Sequence, residues 1–157
     1  MVETDRLSGM HASTFNQIFA AMTLLAALLL TAGCGSVRFH PDRATRPYPV
    51  ELHTANSVDI QVFRDGTTIE LRNATPVTYR DFDLWINQRY VSRVAALPAG
   101  EAVRLSLWDF YDERGETMIA GGLFRTYPAT PVRLVQIQIE PEAPLIGLVT
   151  IRAETAD

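Results

Sequence analysis

The sequence predicts an all-β fold, an antiparallel sandwich of about seven to eight short strands behind a helical apolar leader. Two observations carry this. From Val58 onward, apolar and polar residues alternate in short runs, the period of a strand with one face buried. Turn signals recur every ~8–12 residues, with no long amphipathic helix between them, the spacing of an antiparallel sandwich or barrel.

Val58, Ile60 and Val62 point one way, and Asp59 and Gln61 the other. Asp65-Gly66 follows, a strong hairpin signal because glycine accepts the positive φ of a tight turn. Ile69 and Leu71 alternate with Glu70 and Arg72 on the return, and Asn73-Ala74-Thr75-Pro76 ends it, since proline cannot donate to a ladder. Asn73 to Thr75 is also a glycosylation sequon, of little meaning in a bacterial host. Phe82, Leu84 and Ile86 alternate with Asp81, Asp83 and Asn87, so Trp85 falls on the polar side. Asn87-Gln88 leads to Arg89–Ala95, read as a strand from the flanking turns, although Tyr90, Arg93, Val94 and Leu97 also fit helical spacing. Leu97-Pro98-Ala99-Gly100 is a turn, and Val103, Leu105 and Leu107 form the next strand. Asp109 to Gly115 reads as a solvated acidic turn. Residues 116–124 read as a weak strand interrupted by Gly121-Gly122. Val135, Ile137 and Ile139 alternate, Pro141 and Pro144 bracket a turn, and Leu145–Arg152 closes the domain.

The middle of the chain resembles the immunoglobulin-like modules of bacterial surface proteins, in particular the CARDB-like ones. Leu71-Arg72-Asn73, Leu84-Trp85-Ile86-Asn87, Leu97-Pro98-Ala99-Gly100 and Val103-Arg104-Leu105 carry the resemblance, over residues 58–120. It implies an immunoglobulin-like sandwich with a spacer or binding role, and it transfers no catalytic residue. The cysteine pair of antibody domains is absent.

Ahead of the domain, Ile18 to Gly33 is an uncharged apolar run of 16 residues, short of the ~20 that a helix needs to cross a bilayer core and suited to a signal h-region. It ends in Leu28-Leu29-Leu30-Thr31-Ala32-Gly33-Cys34, which resembles the lipobox of bacterial lipoproteins. That resemblance implies cleavage between Gly33 and Cys34 and attachment of lipid (palmitate among the acyl groups) to Cys34. Thr31 stands where the family usually has leucine, and Arg6 is offset by Glu3 and Asp5, an acidic start that translation from Met10 removes. An uncleaved signal anchor and an ordinary signal peptide are the alternatives. With Gly35 after the cysteine, the family's sorting rule implies the outer membrane of a two-membrane cell. The division expected is a signal peptide at 1–33, lipid-attachment cysteine and Pro-rich spacer at 34–56, and sandwich at 57–157. Pro41, Pro47 and Pro49 stiffen the spacer, and Arg38, Arg43 and Arg46 stand near enough to the tether to meet anionic headgroups.

From Cys34 onward 124 residues remain, with 13 arginines, no lysine and 16 acidic residues, a net charge of −3. That is one domain's worth of chain, without the electrostatic footprint of a nucleic-acid binder. Cys34 is the single cysteine, so the exported domain has no disulfide. His40 and His53 are too few for a zinc site. Asp109, Asp112, Glu113 and Glu116 lack the ligand pattern of a calcium loop. No nucleophile elbow or Cys–His pair is present, and no metal or cofactor is expected. Trp85, Trp108 and Tyr111 are the candidate binding surface, since exposed rings stack on sugars or peptides. The expectation is therefore a lipid-anchored, non-catalytic envelope protein that meets a protein or polysaccharide partner or assists assembly. A carbohydrate-binding module and a small envelope hydrolase are the alternatives.

Overall fold

A computed structural model describes residues 39–122 and 127–151; Gly33, Cys34 and the leader lie outside the described residues. Seven strands form in chain order: β1 His53–Asp65, β2 Thr68–Asn73, β3 Tyr79–Ile86, β4 Tyr90–Leu97, β5 Ala102–Ser106, β6 Val135–Gln138 and β7 Leu145–Ile151. Among the described residues the only helices are three single 3-10 turns, and none is long and apolar enough to cross a membrane. The all-β expectation therefore holds, and Tyr90–Leu97 is strand.

The strands make one mixed sheet in the order β4-β3-β6-β7-β1-β2-β5. Taken as A, B, E (β1, β2, β5) and C′, C, F, G (β4, β3, β6, β7), the order follows the two immunoglobulin sheets, with no strand D beside E among the described residues. Five pairings are antiparallel, and the sixth, between β1 and β7, is parallel and joins the two halves. This one pairing departs from the antiparallel pattern expected. β1, at 13 residues, is long enough to pair on both sides, and register shifts between His53 and Ser57 and between Val58 and Gln61 bend it from one half toward the other. After β5 the chain crosses between the edges. Leu107 N–H donates to Thr67 O (2.9 Å), and Val91 and Tyr111 then exchange backbone hydrogen bonds of 2.9 and 3.3 Å.

The inward positions are those the alternation marks. Ile60, Val62, Ile69, Leu71, Phe82, Leu84, Ile86, Val135 and Ile137 are buried together with Leu107, Phe110 and Met118. Each such side chain contributes about 1.5–3 kcal/mol of burial. Two expectations fail here. Ile139 lies beyond the end of β6 and is exposed. Residues 116–122 hold only isolated bridges, from Glu116 to Phe39 and from Thr117 to Tyr111, because Gly121 and Gly122 turn through positive φ; positions 123–124 lie outside the described residues.

The Asp65-Gly66 hairpin forms as expected, with Asp65 opposite Thr68 and Gly66 at φ +55°. A Cβ at Gly66 would meet nothing within 4 Å, so a substitution there costs backbone energy and not packing. Gly66→Val is expected to destabilise the domain by about 1–2 kcal/mol, read from urea unfolding. Gly66→Asn, a residue that tolerates this region, should recover most of the loss.

Candidate interaction surface under the Pro-rich strap

The segment expected to hold the domain off the membrane as a free spacer lies on the domain instead. From Phe39 to Leu52 it forms a strap across the outer face of β3, β6 and β7, so the folded unit begins well before the expected boundary at 57. Its prolines deny it a ladder of its own, and side chains and isolated backbone contacts hold it. His40 N–H donates to Gly115 O (2.8 Å) and Thr45 N–H to Asp112 O (3.0 Å). The Arg46 guanidinium donates to Asp83 and to Gln138 Oε1 (2.8 Å) and lies 5.2 Å over the Trp85 ring. Tyr48 meets Trp85 edge-on at 5.4 Å, while its hydroxyl donates to Gln136 Oε1 (2.7 Å) and lies 2.7 Å from His53 Nδ1. Burial raises the Tyr48 phenol above its ordinary range, against its hydrogen bonds with Gln88 and Gln136, so it stays a protonated donor at neutral pH.

The strap decides the fate of Trp85. Alternation correctly turns this ring to the face opposite Phe82, Leu84 and Ile86, but that face is covered. Trp85 is 1% exposed, in a second apolar cluster with Val91 and Leu145 on which Tyr48 and Leu52 pack. It is a core residue and offers no binding surface. Trp108 is half-buried and packs against the main core. Tyr111 is half-buried, accepts a hydrogen bond from Arg43 (3.3 Å) and meets His40 edge-on at 5.8 Å. Trp85 and Trp108 thus pack into different apolar clusters, and Tyr111 belongs to neither.

The acidic turn also differs from expectation. It closes at Gly115, whose N–H donates to Asp112 O (3.0 Å), but Asp112 is buried, not solvated. Its Oδ2 accepts from Arg89 Nε and Nη2 (2.9 and 2.7 Å), and its Oδ1 accepts from the N–H groups of Arg114 and Glu116 (3.0 and 2.8 Å). Arg89 also reaches Glu116 Oε2 at 2.6 Å. Burial opposes the Asp112 charge; the Arg89 guanidinium and the two N–H groups outweigh it, and the carboxyl titrates below its ordinary range. A depressed folded pKa adds stability above the unfolded value, which is lost as pH falls through the folded one. Asp112→Asn is accordingly expected to cost about 2 kcal/mol at neutral pH, the scale of charge-assisted hydrogen bonds. The gap from wild type should close in unfolding curves taken at progressively more acid pH.

Between strap and clamp lies a polar cleft of about 390 Å³, lined by Tyr48, Gln88, Arg89, Asp112, Glu113 and Arg114. Its walls carry hydrogen-bond donors and acceptors of both charges. Both Asp112 oxygens are already engaged, and no histidine lines it. That arrangement suits holding a polar group better than transferring a proton. Among the described residues no three His, Cys, Asp or Glu side chains converge as metal ligands. The sequence reading missed Tyr48, Arg89 and Gln136, and it assigned to lipid headgroups the Arg46 guanidinium that Asp83 and Gln138 take up. The alternation of Val135 and Ile137 with Gln136 and Gln138 assigns the glutamines to solvent, yet both are buried beneath the strap. Comparison with protein-family models, with curated proteins and with solved structures finds no match to this chain.

Proposed function

We propose that the chain is a lipid-anchored, non-catalytic protein of the bacterial envelope, whose immunoglobulin-like domain meets an envelope protein or polysaccharide or assists assembly there. The observation that carries this reading is the Thr31-Ala32-Gly33-Cys34 sequence, which stands just ahead of Phe39, the first described residue. The non-catalytic part draws support from Asp112, whose charge is committed to a structural clamp. A carbohydrate-binding module is the weaker reading, since Trp85 is covered and Trp108 and Tyr111 are half-buried. With Gly35 after the cysteine, the outer membrane is the destination in a two-membrane cell.

Cys34→Ala is the test. Acyl chains anchor at about 0.8 kcal/mol per buried CH₂, so wild type should fractionate with membranes and incorporate a labelled fatty acid. The variant should do neither by this route, leaving an uncleaved precursor or a soluble product. Equal labelling of the two proteins refutes the anchoring.

A further inference from the structure

The strap leaves the domain at a fixed point. Phe39 bridges Glu116, and His40 N–H is held on Gly115 O at 2.8 Å. Gly115 has φ +79°, and a Cβ there would overlap the His40 carbonyl, so a glycine is required where the chain enters the fold. Thr45 N–H on Asp112 O fastens the same turn a few residues on. Between Cys34 and Phe39 stand only Gly35, Ser36, Val37 and Arg38. Fully extended, that stretch spans at most about 18 Å.

From this short reach we infer that the domain sits on the bilayer by one face, the one that carries Phe39, Arg43 and the Glu113-Arg114 turn, and that it points its opposite end away. This inference rests on lipid at Cys34. Phe39 is 55% exposed, an apolar ring able to enter the boundary between headgroups and acyl chains, and the Arg43 and Arg114 side chains beside it suit lipid phosphates. The opposite end carries the β2–β3, β4–β5 and β6–β7 connections. Along β4 it is six residues from Val91, the neighbour of Tyr111, to Leu97, about 20 Å of strand. Its exposed charges are mainly acidic: Asp81, Glu101, Glu140 and Glu142 stand there against Arg72 and Arg80. An anionic bilayer repels that end and admits the face around Phe39, where arginines and carboxylates are mixed.

The test uses the full-length protein purified from membranes and placed in vesicles of phosphatidylethanolamine and phosphatidylglycerol that contain a nitroxide-headgroup lipid. Cys34 is the only native cysteine, and thioether lipidation blocks its sulfur. A fluorophore can therefore be attached singly through Glu113→Cys or Ala99→Cys, both at exposed positions. The label at 113 should be quenched at least about threefold more than the label at 99. Equal quenching, or stronger quenching at 99, in protein whose mass shows lipid on Cys34 overturns the orientation and leaves the anchor standing. A mass without lipid refutes the anchor, and the orientation falls with it.

Discussion

Trp85→Ala is expected to lower the unfolding free energy by about 4 kcal/mol. Truncating a fully buried tryptophan loses its transfer free energy and leaves a cavity, together about 3–5 kcal/mol. The site can collapse little. Leu145 and Val91 are fixed in β7 and β4, and only the strap residues Tyr48 and Leu52 are free to move inward. The indole brings one liability, since its Nε1 is buried and finds no hydrogen-bond partner among the described residues. Trp85→Phe removes that donor as well as part of the ring, so it should cost far less than the alanine change. Tyr48 and Trp85 meet edge-on at 5.4 Å, and a double-mutant cycle should return a coupling of about 1 kcal/mol. A cost below 1 kcal/mol for Trp85→Ala, with no coupling to Tyr48, means that the strap does not cover the sheet in solution.

Trp85 also shows how far alternation reaches. Period-two patterning assigns a side chain to one of two faces, and for Phe82, Leu84, Trp85 and Ile86 it does so correctly. It cannot say whether a segment from elsewhere covers the second face. Tyr48 comes 37 positions earlier, in a stretch whose prolines read as extended linker. The same limit hides Gln136 and Gln138. The Asp65-Gly66 hairpin was legible because its determinants are local, and so was the Asn87-Gln88 turn, whose two residues take φ of +53° and +58°. The parallel pairing of β1 with β7 was not legible, since it joins segments more than 80 residues apart through backbone groups that carry no residue signature. The Arg89–Asp112 clamp lay hidden because an acidic turn in sequence looks alike whether water or a guanidinium answers its charge.

Asn73→Asp is expected to cost about as much as the loss of Trp85, roughly 4 kcal/mol at neutral pH, the range for an uncompensated buried charge. Asn73 ends β2 at 1% exposure and ties two connections together. Its amide nitrogen donates to Val77 O (2.8 Å) and Pro98 O (2.9 Å), with Leu97 O at 3.3 Å sharing one of the two hydrogens. Its Oδ1 accepts from Thr75 N–H (3.0 Å) and the Thr75 hydroxyl (2.7 Å). The β2–β3 and β4–β5 loops are joined through this one side chain, so its identity is accounted for by folding without any sugar. Aspartate is isosteric, yet it sets a carboxylate oxygen against those carbonyls where an N–H₂ stood. Burial and repulsion raise its folded pKa above the unfolded value, so the variant holds a proton more tightly when folded. Its deficit therefore grows as pH rises through that pKa and shrinks toward acid, where the protonated form regains one donor. Asn73→Ala has no such pH dependence of its own and should cost about 2–3 kcal/mol, from hydrogen bonds lost and carbonyls left unanswered. Urea unfolding at pH 5 and 8 separates the two variants. A deficit for Asn73→Asp that is small and flat across that range means that the amide is not clamped between the loops.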